Sequence, residues 1–455
     1  SCTAGLHLSL LAAGVKQGDE VITTIHTFAA TANTIVQVGA RPVFIDIEEK
    51  TFNIDASKIE SKITSKTRAI IPMHYGGLPA DMDKILEIAK KYNLIVIEDA
   101  ATATGSFYKG KKIGSIGDLT CFSFHPIKNI STGDGGMVTT NNKEYAEKLN
   151  ILRLHGMSKD AWKRYSASGS WMYDIIEAGF KYNMTDIQAS LGIEQLKKLD
   201  YFIKKRKEYA KVYNEMFSKI KEIKIPLELP GNSVNLYTIR VDDKKLKITR
   251  NEIIEGLKKL NIGANAYYMP LYLLSYYKNN FNLKKEDFPV ADRVFNSIIS
   301  LPLYPKMTIS DVKYVAISLK KIIEKNKLKY SWEIRDFDTK HFNFKVGRIN
   351  YIENFEDEKE MNDVINSLIR DLKKENIKYT TYRFPANEFN KIHALEKVGF
   401  ILVDNMIDFE ASVDSVKFDL PKNIREAKKE DIKELKVLAS NIFSYNRFYS
   451  DSFIP

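Results

Sequence analysis

At 455 residues, with 44% hydrophobic and 28% charged side chains, the chain has enough apolar material for two or three packed domains of ordinary globular composition. No apolar run approaches the ~18 residues of a membrane-spanning helix, which excludes a conventional span. The net charge of +11 raises nucleic acid or an anionic membrane as partners, yet the lysines are interleaved with acids at helix-surface spacing, as in KKLDYFIKKRKEYAK, and read as solvated surface.

Two cysteines, Cys2 and Cys121, give neither a disulfide framework nor metal-ligand spacing, so no metal site is expected and a reducing cytoplasm fits. The first predicted helix covers Thr3 to Ala13 and stops at Gly14. Its N-terminus offers free N–H groups and a positive dipole end to an anion. A strand from Glu20 to Ile25, a turn at Phe28 and a helix over Ala29 to Ile35 follow. An aromatic at that junction, Phe28, serves either the core or a ligand. ARPVFIDI and RAIIPMHYGG are further strands, and Met82 to Tyr92 and Lys143 to Arg153 are helix-periodic. Strands alternating with helices predict a mostly parallel, doubly wound α/β sheet. His74 closes one strand, as a satisfied core histidine or as part of a substrate pocket.

The most informative stretch runs from Val96 to Met137. An apolar run from Leu94 to Ile97 ends at Glu98 and Asp99, and a second, Thr120 to Phe124, leads to Lys128 and the turn-forming Gly133, Asp134, Gly135 and Gly136. In parallel α/β sheets ligands sit beyond the carboxyl ends of strands, which places Asp99 and Lys128 together at the ligand edge. A lysine amine can form a Schiff base with an aldehyde cofactor, and an aspartate facing a pyridinium nitrogen keeps it protonated. Taken singly, an Asp and a Lys are more often a helix cap and a solvated charge.

FSFHPIKNISTGDGG, with EDAA upstream and the opening SCTAGLHLSL, resembles the sugar aminotransferases of the DegT/DnrJ/EryC1/StrS family from Ser1 to about Lys325. The resemblance implies the aspartate aminotransferase type I fold and pyridoxal 5'-phosphate as cofactor. By that resemblance Lys128 is the catalytic lysine, Asp99 faces the pyridine nitrogen and Phe28 stacks on the ring. Thr3, Ala4 and Ser123 would anchor the phosphate. Thr102 stands where the family usually has glutamine beside the ring hydroxyl. Asn183, in KYNMTDIQAS, matches an asparagine that reaches the cofactor phosphate of a partner subunit, which implies a homodimer with shared sites. LRLHGMSKDAWKRY lies near the family's sugar-nucleotide site and makes Arg153 and His155 candidate substrate contacts. Related dehydratases carry histidine in place of Lys128, so the lysine favours amino-group transfer. The implied reaction moves an amino group, with glutamate as donor, onto a nucleotide-linked 4-keto-6-deoxy sugar.

The family carries a segment ahead of SCTAG, so the chain reads as lacking the start of its first motif. A long helical region with Leu191, Leu196, Leu199, Phe202 and Phe217 on one face precedes a smaller α+β domain. In that domain LYTIRVD and the run through Tyr267 are predicted strands, and Arg250 to Leu260 and Ser310 to Lys325 are predicted helices. The family's usual histidines are here Tyr267 and Tyr272, and its aromatic before the NLY strand is Val234. The expected division is 1–226 for the cofactor-binding domain, 227–327 for the small domain and 328–455 for a different tail.

In the tail, one amphipathic helix at Glu358 to Glu375 and an H-x-L-E-K-x-G-F run resemble GNAT-type N-acetyltransferases that act on amino sugars. IREAKKEDIKELKVLASNIF reads as the opening strand and helix of their catalytic half. The Gly-rich coenzyme A loop is not in the sequence, so acetyl-CoA would belong to a longer natural protein. Two alternatives remain: a sugar-nucleotide N-acetyltransferase, or a regulator, with the aminotransferase part as a non-catalytic scaffold in either.

Overall fold

Five-residue apolar runs form a parallel sheet: β1 (Glu20–Thr24), β2 (Arg41–Ile45), β3 (Thr67–Ile71) and β4 (Ile95–Asp99). A small antiparallel pair, β5 (Phe107–Tyr108) and β6 (Lys111–Lys112), lies outside it. The sheet continues with β7 (Leu119–Ser123), parallel to β4, and closes with antiparallel β8 (Gly136–Thr139), giving the order β2-β1-β3-β4-β7-β8. The computed structural model describes residues 1–158, 173–242, 245–353, 355, 357–384 and 388–400.

Strand side chains alternate between two faces, and both faces are covered. Val21, Ile71, Ile97 and Leu119 pack with α1 (Cys2–Ala12), α2 (Ala29–Gln37) and Leu149 and Leu152 of α4 (Lys143–Leu152). Ile22, Ile45, Ile70 and Val96 pack against Met82, Ile85 and Ala89 of α3 (Met82–Tyr92). This is the doubly wound arrangement expected of strands alternating with helices.

α1 is buried on most of its surface, so the core dictates where its N-terminus points. Gly136 lets β8 approach that terminus. A Cβ there would stand 2.5 Å from the Ser1 carbonyl carbon and 2.7 Å from the Cys2 nitrogen. Backbone atoms cannot swing aside as a side chain can. Gly136→Ala is therefore expected to lower stability by about 1–3 kcal/mol, the usual cost of overpacking, read as a lower thermal midpoint.

After α5 (Asp186–Lys197) and α6 (Leu199–Phe217) the chain builds a three-stranded antiparallel sheet of β9 (Ile223–Lys224), β10 (Tyr237–Val241) and β11 (Ile298–Leu301). Tyr213 and Phe217 of α6 share its core with α7 (Arg250–Lys259) and, beyond α8 (Ser275–Phe281) and α9 (Pro289–Phe295), with α10 (Ile309–Asn326). Its first strand precedes residue 227, because the chain leaving α6 pairs directly with β10.

One expected element changes. The run through Tyr267 forms no strand, only a single bridge between Asn265 and Ser300. The expected long helical region is present as α5 and α6, and α5 buries none of its residues.

The chain separates into two compact units, Ser1–Lys327 and Leu328–Pro455. In the second, β12 (Tyr330–Ile334) pairs antiparallel with β13 (Val346–Ile352), which pairs parallel with β14 (Tyr379–Tyr382). The connecting helices are α11 (Asp336–Phe342) and α12 (Glu358–Lys374), and α13 (Phe389–Lys397) follows. The predicted apolar face of α12, Met361, Val364, Ile365, Leu368 and Leu372, is buried with Ile349 and Ile352. The strand expected after Phe400 and the whole of IREAKKEDIKELKVLASNIF lie outside the described residues, as do 159–165 of LRLHGMSKDAWKRY.

Candidate active site

β4 ends on two adjacent carboxylates with different surroundings. Asp99 is buried and accepts hydrogen bonds from Thr31 Oγ1 at 2.7 Å and the Ala101 N–H at 3.1 Å, with the Cys2 thiol at 3.9 Å. Thr31 lies in the first turn of α2 and shares a 2.8 Å contact with Thr27, so one helix start fixes the carboxylate's orientation. Glu98 turns to the other side and meets His74, Thr120 and the Gly117 N–H.

Lys128 sits in the turn after β7, its N–H bonded to the His125 carbonyl at 2.9 Å. The next residue anchors it. Asn129 Nδ2 donates to the Thr104 carbonyl and Ser233 Oγ, both at 2.9 Å, and its Oδ1 accepts from Asn235 at 3.0 Å. The Lys128 amine itself has no hydrogen-bond or ion-pair partner among the described residues. Burial pushes its pKa below the usual lysine value, while the nearby Asp99 charge pulls the other way. A lysine with a depressed pKa in a cleft is available as a nucleophile or a base.

A cavity of about 1650 Å³ joins these groups. Thr3, Phe28, Asp99, Thr102, Ser123 and Lys128 all line it, so the structure brings together most of the residues singled out from the sequence. Phe28 is 62% exposed, an apolar ring presented to the cavity rather than packed in the core. The Thr102 hydroxyl donates to the His74 carbonyl at 2.6 Å, leaving only its lone pairs for a ligand. Among the described residues Ser123 Oγ, at the end of β7, has only a 3.4 Å contact from the His125 N–H. Ser1 caps α1 by accepting from the Ala4 N–H at 3.2 Å, and the first N–H groups of the helix have no carbonyl to bond within it.

Five candidates lie elsewhere. Ala4 and Asn183 line a smaller pocket of about 330 Å³ that shares Ser1, Thr3 and Asp134 with the main cavity. Asn183 Oδ1 is buried there without a hydrogen-bond partner among the described residues. His74 is a correction: it is wholly buried, its Nε2 is 2.9 Å from Glu98, and its Nδ1 accepts from the Ala80 N–H at 3.1 Å. Both ring nitrogens are committed to the core, so it cannot serve as a substrate contact. Arg153 and His155 also fall away from the Lys128 cavity. Arg153 follows α4 and donates to Asn150 at 3.0 Å, and His155 occupies an exposed left-handed turn with φ 57°. Helix α4 carries them away with its own end.

Sequence reasoning overlooked Thr31, Cys2, Asn129 and Tyr268. Tyr268 brings its ring within 6.2 Å of Phe28 on the cavity wall. Only the adjacency of Asn129 to Lys128 could have suggested any of them.

The profile of the DegT/DnrJ/EryC1/StrS aminotransferase family matches residues 1–320. The chain belongs to that family. It is 47% identical over 327 residues to the spore coat polysaccharide biosynthesis protein SpsC of Bacillus subtilis, covering 71% of this chain and 84% of that one. Helicobacter pylori PseC, an aminotransferase involved in the biosynthesis of pseudoaminic acid, superposes with a TM-score of 0.67 at 32% identity, covering 71% and 85% of the two chains. A proposed sugar aminotransferase of Streptococcus pneumoniae in its PLP-form superposes with a TM-score of 0.66 at 36% identity, over 71% and 86%. These matches support a sugar aminotransferase that uses pyridoxal phosphate.

The residues present fit that cofactor. A flat ring has the Phe28 face on which to lie and a fixed carboxylate, Asp99, for its nitrogen. Its aldehyde carbon has the partnerless Lys128 amine, and its phosphate has the start of α1 and Ser123. Among the described residues no cluster of His, Cys, Asp or Glu could hold a metal ion, and no helix is long and apolar enough to cross a membrane.

Proposed function

We propose that the chain transfers an amino group from glutamate to the keto carbon of a nucleotide-linked 4-keto-6-deoxy sugar, with pyridoxal phosphate bound at Lys128. The observation that carries this reading is the convergence of a partnerless lysine, a buried aspartate and an exposed aromatic ring on one cavity wall. The cofactor, when bound, supplies an electron sink for the carbon that gains or loses a proton. Asp99 holds the proton on the ring nitrogen, Phe28 sets the plane of the ring, and Thr102 offers lone pairs at its edge. Lys128 moves the proton at the reacting carbon. Thr3, Ala4 and Ser123 hold the phosphate.

The volume supports a large second substrate. At about 1650 Å³ the cavity exceeds the ~300–1000 Å³ of a pocket for one drug-sized ligand. The 4-keto position and the nucleotide rest on the family likeness, to which the sugar-pathway names of SpsC and PseC lend support.

A homodimer belongs to this reading. α5 exposes Ile187, Leu191, Ile193 and Leu196, an apolar set left uncovered among the described residues. The partner subunit's Asn183 would then complete the phosphate site, which accounts for its placement outside the main cavity of its own chain. A cytoplasmic location is part of the same proposal. An acetyl-coenzyme A-dependent capping of the new amine, suggested by the His393 to Phe400 run, would need a coenzyme A loop that 328–455 does not contain.

Purified protein with pyridoxal phosphate is expected to show a visible absorption band that glutamate shifts, with release of 2-oxoglutarate. A panel of nucleotide-linked keto sugars should then restore the band, the 4-keto members best. Folded protein that shows no band would overturn the aminotransferase reading. Acetyl-coenzyme A consumption persisting in Lys128→Ala, without glutamate turnover in the wild type, would favour the scaffold alternative.

A further inference from the structure

Arg206 occupies a place in α6 where an apolar residue is due. The buried stripe of that helix runs Leu199, Arg206, Tyr209, Ala210, Tyr213 and Phe217, at the spacing of one helical face. Arg206 is 3% exposed, and a guanidinium so placed normally sits against a carboxylate. Among the described residues it has none. Its Nη1 donates to the Asn235 carbonyl at 3.1 Å and the Leu303 carbonyl at 2.6 Å, its Nε is buried without a partner, and no bond is made by Nη2.

The residue lines the same cavity as Lys128. Lys306, three residues beyond Leu303, lines it as well and forms no ion pair among the described residues. By contrast, the second large cavity has its arginines neutralised: Arg240 and Arg293 both bind Glu49, at 2.6 and 3.0 Å. Burial pushes Arg206 down to about 10, which leaves it charged at neutral pH.

We propose that Arg206, with Lys306 on the wall of the same cavity, is the subsite for an anionic oxygen group of the substrate. Two sources carry such a group: the carboxylate of the amino donor and the diphosphate of the nucleotide sugar. Either would supply the missing bonds to a rigid fork of donors, the geometry that guanidinium offers to carboxylate and phosphate. The identity of the ligand rests on the aminotransferase reading, but binding can be measured without turnover.

The test uses the full chain loaded with pyridoxal phosphate, as wild type, Arg206→Gln, Arg206→Lys and Lys306→Gln, titrated by calorimetry with 2-oxoglutarate and separately with uridine and thymidine diphosphates. Arg206→Gln is expected to weaken one of the two ligand classes by about 10–100-fold, the usual loss on removing a hydrogen bond to a charged group, and Arg206→Lys by less. Lys306→Gln should weaken the same class and leave the other unchanged. The class affected identifies the source. The absorption band and thermal midpoint report whether cofactor and fold survive. Dissociation constants for both classes within twofold of wild type in folded Arg206→Gln would overturn the proposal. Should that variant fail to fold, unchanged binding in both Arg206→Lys and Lys306→Gln would do the same. Binding lost on substitution in a protein without glutamate turnover would keep this subsite and reject the aminotransferase reading.

Discussion

Replacing Lys128 with alanine is expected to abolish amino-group transfer without harming the fold. The side-chain amine makes no hydrogen bond or ion pair among the described residues, so truncation breaks no contact. It also relieves the desolvation that pushes the ammonium pKa down. Chemistry has no such tolerance, because in the proposed function one group both holds the cofactor and carries the proton. Acid–base assistance alone contributes about 10²–10⁴-fold, so turnover should fall by at least roughly 10³-fold while the thermal midpoint holds. Activity above a tenth of wild type would sink the assignment. The wild-type rate should also begin to rise with pH below the ordinary lysine range, since the neutral amine is the form that takes up a proton and burial favours it.

Asp99→Asn is the second severe change. The amide matches the carboxylate in size and can still accept from Thr31, so the pocket keeps its shape. What disappears is the negative charge proposed to face the ring nitrogen. Removing one preorganised electrostatic group costs about 10²–10³-fold in kcat, and that loss should persist at saturating cofactor. A kcat within threefold of wild type would remove Asp99 from the mechanism. Glu98→Gln is the control. Burial raises the Glu98 pKa, but bonds from His74, Thr120 and Gly117 outweigh it and hold the group below its usual value. Its contribution to stability is therefore present above the unfolded carboxylate pKa and lost as pH falls through the lower folded one. The control should lower the thermal midpoint at neutral pH, with the difference from wild type vanishing in acid, and should lower kcat far less than Asp99→Asn does.

Local pattern carried the architecture. Apolar runs near Leu94 and Thr120 became β4 and β7 because buried strands need continuous β-rich segments, and α12 buries the face its periodicity marks. The cavity residues Asp99 and Lys128 were legible because one closes β4 and the other follows the end of β7 at the same sheet edge. His74 was not, since an identical strand-end position can turn into the core and find Glu98 there. Thr31 and Asn129 act through contacts 68 and 25 residues away along the chain, and Arg206 through carbonyls 29 and 97 residues away. Separation of that order leaves no trace in local spacing. α5 differs: its leucines follow a good helical pattern, yet among the described residues nothing buries them.

The neighbours Glu98 and Asp99 point to opposite faces of β4, one bonded into the core and one toward the cavity. Because strand side chains alternate, a slip of one residue in the pairing of β4 would exchange them. Descendants of this sequence can therefore lengthen or shorten the loops on either side of β4. An insertion or deletion inside the strand itself would swap a structural carboxylate for a chemical one, and selection should purge it even where the sheet still forms.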